Sequence, residues 1–516
     1  MKRRGNSRRS ASAVAVLGIA AIVSGIAGNT EVGSAAAQRP PNVLLIVVDD
    51  QAQNTFKPRF MPHTFHDLVN HGTTFTNAIA APPLCCPDRA GILTGQYPHN
   101  HGVFSNHPGY ADLRDPGNTL PVWLQNAGYR TGLFGKFMNH YEDVSGAAPA
   151  PGFDRWFAFL GGSSEYFNYR VSDNGAIRRY GHSRRAYSTK VLTRKTRLFI
   201  RHSADRSRPF LAWLGYHATH LEPVADGSCE GKNPLPPGRA AFRRFHRARL
   251  PRSPTFNERR VGDKPREIRT LDRLGGPAIA EIERRWHCTL GAMVEVDRQV
   301  GRLMKELRRD GELRRTIVIY LSDNGFFFGQ HRLRIGKGFV YEPALNVPFV
   351  MRVPRPYRNS AVPRRLDSVV SNQDLAPTLL DYVNGYGGSA DSCMSPGDCR
   401  RMDGRTLRPL LRGAGQSLRR RGVLVEIDSR RNAKRNDPEC DCAYHAIRTS
   451  RYVYSELASG ERELYDLRTD PHELSNKAGS AAYAEREHSL AARLDLLGDC
   501  SGVEGRDPPA LVPYCE

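Results

Sequence analysis

The chain has 516 residues, 40% of them hydrophobic and 25% charged, with a formal net charge of +22. That length supports a large core and more than one domain, and the composition is that of a globular protein rather than a disordered or collagen-like one. The positive charge suits either encounter with a polyanion or an arginine-rich solvated surface; no RNA- or DNA-binding module is recognisable, which argues against nucleic acid.

The N-terminus opens with Lys2, Arg3, Arg4, Arg8 and Arg9, continues through a small-residue apolar stretch over residues 13–27, and reaches Ser34-Ala35-Ala36-Ala37 before Gln38. This is the layout of a signal peptide, residues 1–37, cleaved after Ala37. The apolar stretch is short and weak for a membrane span, so no stable membrane insertion is expected after cleavage. The Arg8-Arg9 pair fits twin-arginine export, but the aromatic or leucine expected soon after it is missing, so the Sec route stays open. The mature protein is expected to be secreted or extracytoplasmic. An exported chain with ten cysteines, at 85, 86, 229, 288, 393, 399, 440, 442, 500 and 515, is expected to carry disulfides.

Six consecutive apolar residues, Val43-Leu44-Leu45-Ile46-Val47-Val48, run into Asp49-Asp50 and read as a strand buried on both faces, hence part of a parallel sheet. The same shape recurs at Thr316-Ile317-Val318-Ile319-Tyr320-Leu321-Ser322-Asp323-Asn324-Gly325. A third buried run is Pro209-Phe210-Leu211-Ala212-Trp213-Leu214-Gly215-Tyr216-His217. Between them, residues 120–127 read as a helix with Thr119 at its N-cap and Gly128 at its end. Residues 279–307 read as a long amphipathic helix, with Val294, Val300, Leu303 and Leu307 at helical spacing. Residues 228–276 are Pro- and Arg-rich, poorly periodic, and read as a surface insertion, part of a substrate rim. Beyond residue 412 come short alternating strands at 422–427, 444–448 and 452–455, then a helix over 482–497. The expected fold class is α/β: a large mixed, mostly parallel sheet sandwiched by helices over residues 38–411, and a smaller C-terminal antiparallel sheet plus helix over 412–516. No internal repeats are visible.

Polar groups gather at the C-terminal ends of the apolar runs, where open α/β sheets hold their sites. Asp49, Asp50, Asp323 and Asn324 are four oxygen donors of the kind a hard divalent cation takes. The same residue types also serve as caps and turn formers after strands. What separates the two readings is Cys85-Cys86-Pro87-Asp88-Arg89, within the run PPLCCPDRAGILTGQYPHNHG.

Cys-x-Pro-x-Arg followed by Ala-x-x-Leu-Thr-Gly resembles the signature of type I sulfatases, of the alkaline-phosphatase-like superfamily. Other blocks follow in that family's order: PNVLLIVVDDQ, TLPVWLQNAGYRTGLFGK, SDNG, GKGFVYEPALNVPFV, DLAPTLLDY and RTSRYVYSELASGERELYDLRTDPHELSN. The resemblance runs from about residue 40 to the end and is nearest in flavour to N-acetylglucosamine-6-sulfatases and bacterial arylsulfatases. It makes residues 38–411 a catalytic sulfatase domain.

The resemblance implies that Cys85 is oxidised to formylglycine by a formylglycine-generating enzyme, before folding closes over it. Asp49, Asp50, Asp323, Asn324 and modified Cys85 would hold one divalent cation, calcium, with magnesium as the alternative. The aldehyde hydrate would attack sulfur, expel the alcohol and leave a sulfated hemiacetal, whose second hydroxyl then releases sulfate. Serine lacks that second hydroxyl. Arg89 would hold the hydrate. Lys136 and Lys337 would bind sulfate oxygens, and His220 would assist the leaving ester oxygen, with His217 as its rival. The substrate would be an aryl sulfate, a sulfated sugar or a sulfated glycan.

Two departures from the family pattern stand out. The histidine expected two positions after Lys136 is Met138, which leaves Asp323, His140 or His101 to accept the hydrate's proton. The usual small residue before Arg89 is Asp88, which either adds negative charge beside an anion site, slightly disfavouring recognition by the modifying enzyme, or points away from it. With Cys85 modified, nine cysteines remain; the simplest assignment leaves Cys86 as a buried thiol. It then pairs Cys393 with Cys399, Cys229 with Cys288, and Cys440 and Cys442 with Cys500 and Cys515. Two alternatives stay open: a formylglycine-dependent phosphodiesterase or phosphonate monoester hydrolase, and an inactive sulfated-glycan binder in which Cys85 stays a thiol.

Overall fold

The computed structural model describes residues 39–161, 166–204, 208–224, 227–358, 363–384, 401–412, 422–428 and 443–500. The signal segment and Cys393, Cys399, Cys440, Cys442 and Cys515 lie outside them. The strands in chain order are β1 (Asn42–Val48), β2 (Thr73–Ile79), β3 (Arg130–Gly135), β4 (Arg155–Leu160), β5 (Arg170–Asp173) and β6 (Ala176–Arg179). Next come β7 (Phe210–Gly215), β8 (Glu222–Val224), β9 (Gly231–Asn233), β10 (Thr316–Ser322), β11 (Phe349–Arg352) and β12 (Arg365–Ser371). A C-terminal set follows: β13 (Val423–Asp428), β14 (Ala443–Arg448), β15 (Tyr452–Leu457) and β16 (Arg462–Asp466).

Ten strands form one sheet in the order β12-β2-β11-β10-β1-β7-β3-β4-β5-β6. Its centre, β10-β1-β7-β3-β4, is parallel. The unbroken apolar run of β1 has its reason here. Val43, Leu45 and Val47 face a core shared with the helices Cys85–Thr94, Leu120–Asn126 and Leu375–Asn384. Leu44, Ile46 and Val48 face a second core shared with Ser188–Ala204 and Gly276–Arg309. Strand side chains alternate between faces, so a strand covered on both sides needs apolar residues at every position, each contributing about 2 kcal/mol by burial.

The long helix starts three residues before the expected position, at Gly276, because Pro277 is compatible with a first helical turn. Thr119 does stand at the N-cap of Leu120–Asn126 with extended backbone, but its hydroxyl makes no capping bond. The first regular helical bond runs from Trp123 N to the Thr119 carbonyl at 3.0 Å. Residues 228–276 contain β9 and two short helices, Arg239–Phe245 and Arg266–Arg269. They also bury Glu258, Val261, Lys264 and Ile268. Lys264 Nζ reaches the Leu474 carbonyl at 3.0 Å, which ties this stretch to the C-terminal segment. Cys229 and Cys288 are disulfide-bonded, linking the start of the stretch to the long helix, and Cys86 is a buried free thiol.

The C-terminal sheet is antiparallel, in the order β13-β14-β15-β16, and packs with the helix Ala484–Gly498 through Leu490, Leu494 and Leu497. Its fourth strand, β16, was absent from the sequence expectation. The residues after Arg462 are buried on both faces, so the strand shows no alternation to read.

Candidate active site

The parallel register brings the functional residues level. Val48 of β1 pairs with Ser322 of β10, Val47 pairs with Gly215 of β7, and Gly215 pairs with Gly135 of β3. The residues that follow these pairs, Asp49-Asp50, Asp323-Asn324, His217 and Lys136, therefore emerge together at one edge. Gly135 has φ +108°, and a Cβ on it would run into the Gly215 carbonyl; this close approach sets where Lys136 leaves its strand. Asp50 adopts φ +60°, a left-handed turn that aspartate tolerates better than most residues. The turn is secured by Asp50 N to Asp323 Oδ1 at 3.3 Å and Gln51 N to Ser322 Oγ at 2.9 Å.

Cys85 is the first residue of the helix Cys85–Thr94, whose ten residues are all buried. Its sulfur lies 3.2 Å from Asp49 Oδ1, 3.4 Å from Asn324 Oδ1 and 3.9 Å from Asp50 Oδ1. Lys337 Nζ donates to that sulfur at 2.8 Å and to Asp50 Oδ1 at 2.5 Å. Lys136 Nζ donates to Asp49 Oδ2 at 2.6 Å. Arg89, one helical turn beyond Cys85, donates through Nε to Asp323 Oδ2 at 2.8 Å and through Nη1 to the Lys136 carbonyl at 2.9 Å. Its Nη2 is buried without a hydrogen-bond partner. His220 joins Asp49 and His217 in a second convergence, ligand atoms within 4.8 Å of one another. All nine residues singled out from the sequence thus lie around one point.

The candidate proton acceptors separate. His140 bonds Asp143 at 2.8 Å and sets its ring edge-on against His107. His101 accepts from Val103 N at 3.1 Å. Of the three, only Asp323 belongs to the cluster, and Met138 is packed into the core beside Phe137 and Tyr141.

A family model described as Sulfatase matches residues 41–386, and one described as N-sulphoglucosamine sulphohydrolase, C-terminal, matches residues 329–499. An N-acetylglucosamine-6-sulfatase of Capra hircus is 31% identical over 522 residues, covering 93% of this chain and 87% of its own. The chain belongs to the sulfatase family. It is a type I sulfatase of the alkaline-phosphatase-like superfamily and a sulfuric ester hydrolase. Two solved structures share its fold at 22% identity. One, described as a complex with its substrate D-glucosamine-2-N,6-O-disulfate, has a TM-score of 0.69 and covers 89% of this chain and 97% of its own. The other, a phosphonate monoester hydrolase of Agrobacterium radiobacter, has a TM-score of 0.64 with 88% and 94% covered.

The charges of this sulfatase site balance in pairs: Lys136 with Asp49, Lys337 with Asp50, Arg89 with Asp323. Burial alone would raise the Asp49 carboxyl, but Lys136, His220, Lys337 and Arg89 outweigh it and hold it well below the usual range. Burial likewise opposes ionisation of Asp50, and Lys337 overcomes it. At Asp323 burial and the Asp49 charge win over Arg89, pushing it up to about 6. Burial, then Asp49, raises the Cys85 thiol well above its ordinary value. Burial lowers the His220 imidazole to about 4, against the pull of Asp49 and Asp50. The oxygens of Asp49, Asp50, Asp323 and Asn324 fit a hard divalent cation, being carboxylate and amide donors converging within a few ångströms. With three acids already matched by three bases, a dication would leave the site net positive, as an anionic substrate requires.

Asp88 has a partner of its own. Its carboxyl is fully buried and accepts from Asn372 Nδ2 at 2.8 Å. Burial, with Asp323 adding to it, pushes its pKa well above the usual carboxylate range. Sequence reasoning did not find Asn372, Asn106, whose Oδ1 accepts from Cys86 N at 2.9 Å, or Glu222, 3.5 Å from His217. The polar run Ser371-Asn372-Gln373-Asp374 at the end of β12 was the available signal for Asn372; Asn106 carried none.

Proposed function

We propose that this sulfatase is an exported, formylglycine-dependent and metal-requiring enzyme that acts on sulfated sugars of the glucosamine-6-sulfate kind. One observation carries the mechanistic reading: the Cys85 sulfur sits at the N-terminus of a buried helix, within reach of Asp49, Asn324 and Lys337 together. The sugar preference takes its support from the goat relative, an N-acetylglucosamine-6-sulfatase. The phosphonate monoester hydrolase likeness concerns fold alone and leaves that activity as the second outcome of the test below.

Formylglycine at position 85 supplies a geminal diol, one hydroxyl to attack sulfur and the other to eject sulfate. A divalent cation on Asp49, Asp50, Asp323 and Asn324 supplies polarisation of the sulfate oxygens. The chain's own residues do the rest. Lys136 and Lys337 offer ammonium groups where negative charge grows, and the helix N-terminus adds its amides. Arg89 fixes Asp323 through Nε and keeps Nη2 for a hydroxyl on residue 85. His220, kept neutral by burial, has a buried ring nitrogen without a partner for the leaving ester oxygen.

The test is peptide mass spectrometry of the protein from its native host, combined with a substrate panel. The peptide holding residue 85 is expected about 18 Da lighter than its cysteine form, the change from thiol to aldehyde at the nucleophile. Glucosamine 6-sulfates are expected to turn over faster than phosphodiesters or phosphonate monoesters with one preparation. An unshifted peptide sinks the aldehyde mechanism; faster phosphoester cleavage favours the second reading. The exported protein is expected to begin at Gln38. Among the described residues no helix is long and apolar enough to cross a membrane.

A further inference from the structure

The end of the ten-stranded sheet opposite the active site carries a second basic surface. β10 begins there at Thr316, and the antiparallel β11 ends there with Arg352 opposite Val318. Arg314, Arg352, Arg355, Arg358 and Arg364, with His71, line a cavity of about 670 Å³, and no carboxylate is among the described residues lining it. Several arginines elsewhere pair with acids: Arg197, Arg201 and Arg309 share Glu306, and Arg451 takes Asp466. None of the five cavity arginines has an ion-pair partner among the described residues. The Nε of Arg358 is buried with no hydrogen-bond partner at all. Like charges crowd one another: burial, then Arg358 and Arg308, lower the Arg352 guanidinium, and burial, then Arg352 and Arg364, lower the His71 imidazole.

Unpaired guanidiniums around one concavity repel unless an anion enters it. Arginine presents its donors as a planar fork that matches a sulfate edge in two parallel hydrogen bonds. The volume exceeds the need of one ion and falls in the range of sites that hold a molecule of several hundred ångströms cubed. β10 alone separates this cavity from the catalytic edge by about 20 Å, seven residues at the strand rise, so a sulfated monosaccharide in the active site cannot reach it.

We infer that this cavity is a docking site for a sulfated polysaccharide chain, distinct from the catalytic pocket. The inference deepens the reading of a sulfated-sugar substrate: a polymer held here presents its other esters at a raised local concentration.

The test measures binding without turnover, in the full chain carrying Cys85→Ala, using a fluorescent heparin-type oligosaccharide at physiological salt. Arg314→Ser, Arg355→Ser and Arg364→Ser, all at exposed positions, are combined in one variant. Arg178→Ser, Arg179→Ser and Arg184→Ser, also exposed, remove the same charge elsewhere. The cavity variant is expected to bind at least about tenfold more weakly and to lose salt dependence, while the control changes less than about twofold. In the otherwise unaltered, converted enzyme the cavity substitutions are expected to leave kcat/KM on a small aryl sulfate unchanged. Unchanged affinity, or an equal loss in the control, overturns the proposal. So does duplex DNA of matched charge that binds as tightly and weakens as much, since the surface would then be a general anion binder. Loss of sulfatase activity on every substrate, with the binding result intact, would count against the proposed function and not against this site.

Discussion

Lys337 Nζ lies 2.8 Å from the Cys85 sulfur and 2.5 Å from Asp50 Oδ1, so one buried ammonium touches both the thiol and a carboxylate of the acidic cluster. Lys337→Met keeps the length of the side chain and removes its charge. It is expected to lower kcat/KM on an aryl sulfate by about 10²–10³-fold, the range seen when one transition-state donor is lost. Steady-state kinetics on the converted enzyme checks this; near-parental turnover would remove Lys337 from the sulfate site.

Cys85→Ala is expected to abolish turnover and keep the fold, at a cost of about 1–2 kcal/mol for the small cavity left in a fully buried site. Cys85→Ser, produced in a host that does not convert serine, is expected to be equally inactive, because a single hydroxyl cannot eject sulfate. Thermal unfolding and a turnover assay decide both; full activity of the serine variant would refute the aldehyde mechanism.

Strong chelation followed by desalting is expected to remove activity, and calcium is expected to restore it better than magnesium. The all-oxygen donor set is the reason: it suits a hard cation with flexible coordination. Activity that survives chelation would argue against a metal on Asp49, Asp50, Asp323 and Asn324.

The Asp88 carboxyl is an acceptor for Asn372 rather than a working charge. Asp88→Asn is therefore expected to leave activity within about twofold, because the amide oxygen can still accept. Asp88→Ala removes one of the two acceptors of the buried Asn372 amide, leaving the Ser322 carbonyl at 3.1 Å, and is expected to cost about 1–3 kcal/mol in a denaturant titration.

His99 supplies the pH dependence. Its Nδ1 lies 2.7 Å from Glu426 Oε1 on β13 and its Nε2 lies 2.8 Å from the Cys500 carbonyl, so both ring nitrogens face acceptors, as in the protonated ring. Burial would lower this imidazole, but the bond and charge of Glu426 outweigh it and raise it to about 9. A raised pKa means the stabilisation is fully present below the unfolded value near 6.5 and is lost as pH rises through 9. On the order of 2 kcal/mol is expected to disappear between about pH 6.5 and 10. His99→Gln is expected to flatten that slope in urea unfolding.

The sequence carried much of the site because its pieces are local. Asp49-Asp50 and Asp323-Asn324 end apolar runs whose burial is written in their composition, and Cys85 and Arg89 sit one helical turn apart. What escaped was long-range. Asn372 meets Asp88 across 284 positions, His99 meets Glu426 across 327, and β16 hides because both its faces are covered. Cys229–Cys288 was legible as an expectation; Cys500 is disulfide-bonded, but the rest of the expected pairing lies outside the described residues.

By itself the amino-acid order determined the fold class, the family resemblance and the identity of the residues that gather at the site. Only the tertiary structure decided that Lys337 touches the Cys85 sulfur, that Arg89 binds Asp323, and that the Asp88 carboxyl is hidden against Asn372. The reason lies in the parallel register: Val48 with Ser322, Val47 with Gly215 and Gly215 with Gly135 bring four strand ends level. A linear sequence names the residues that end each strand, but their charges and distances arise only when the strands are paired and water is excluded.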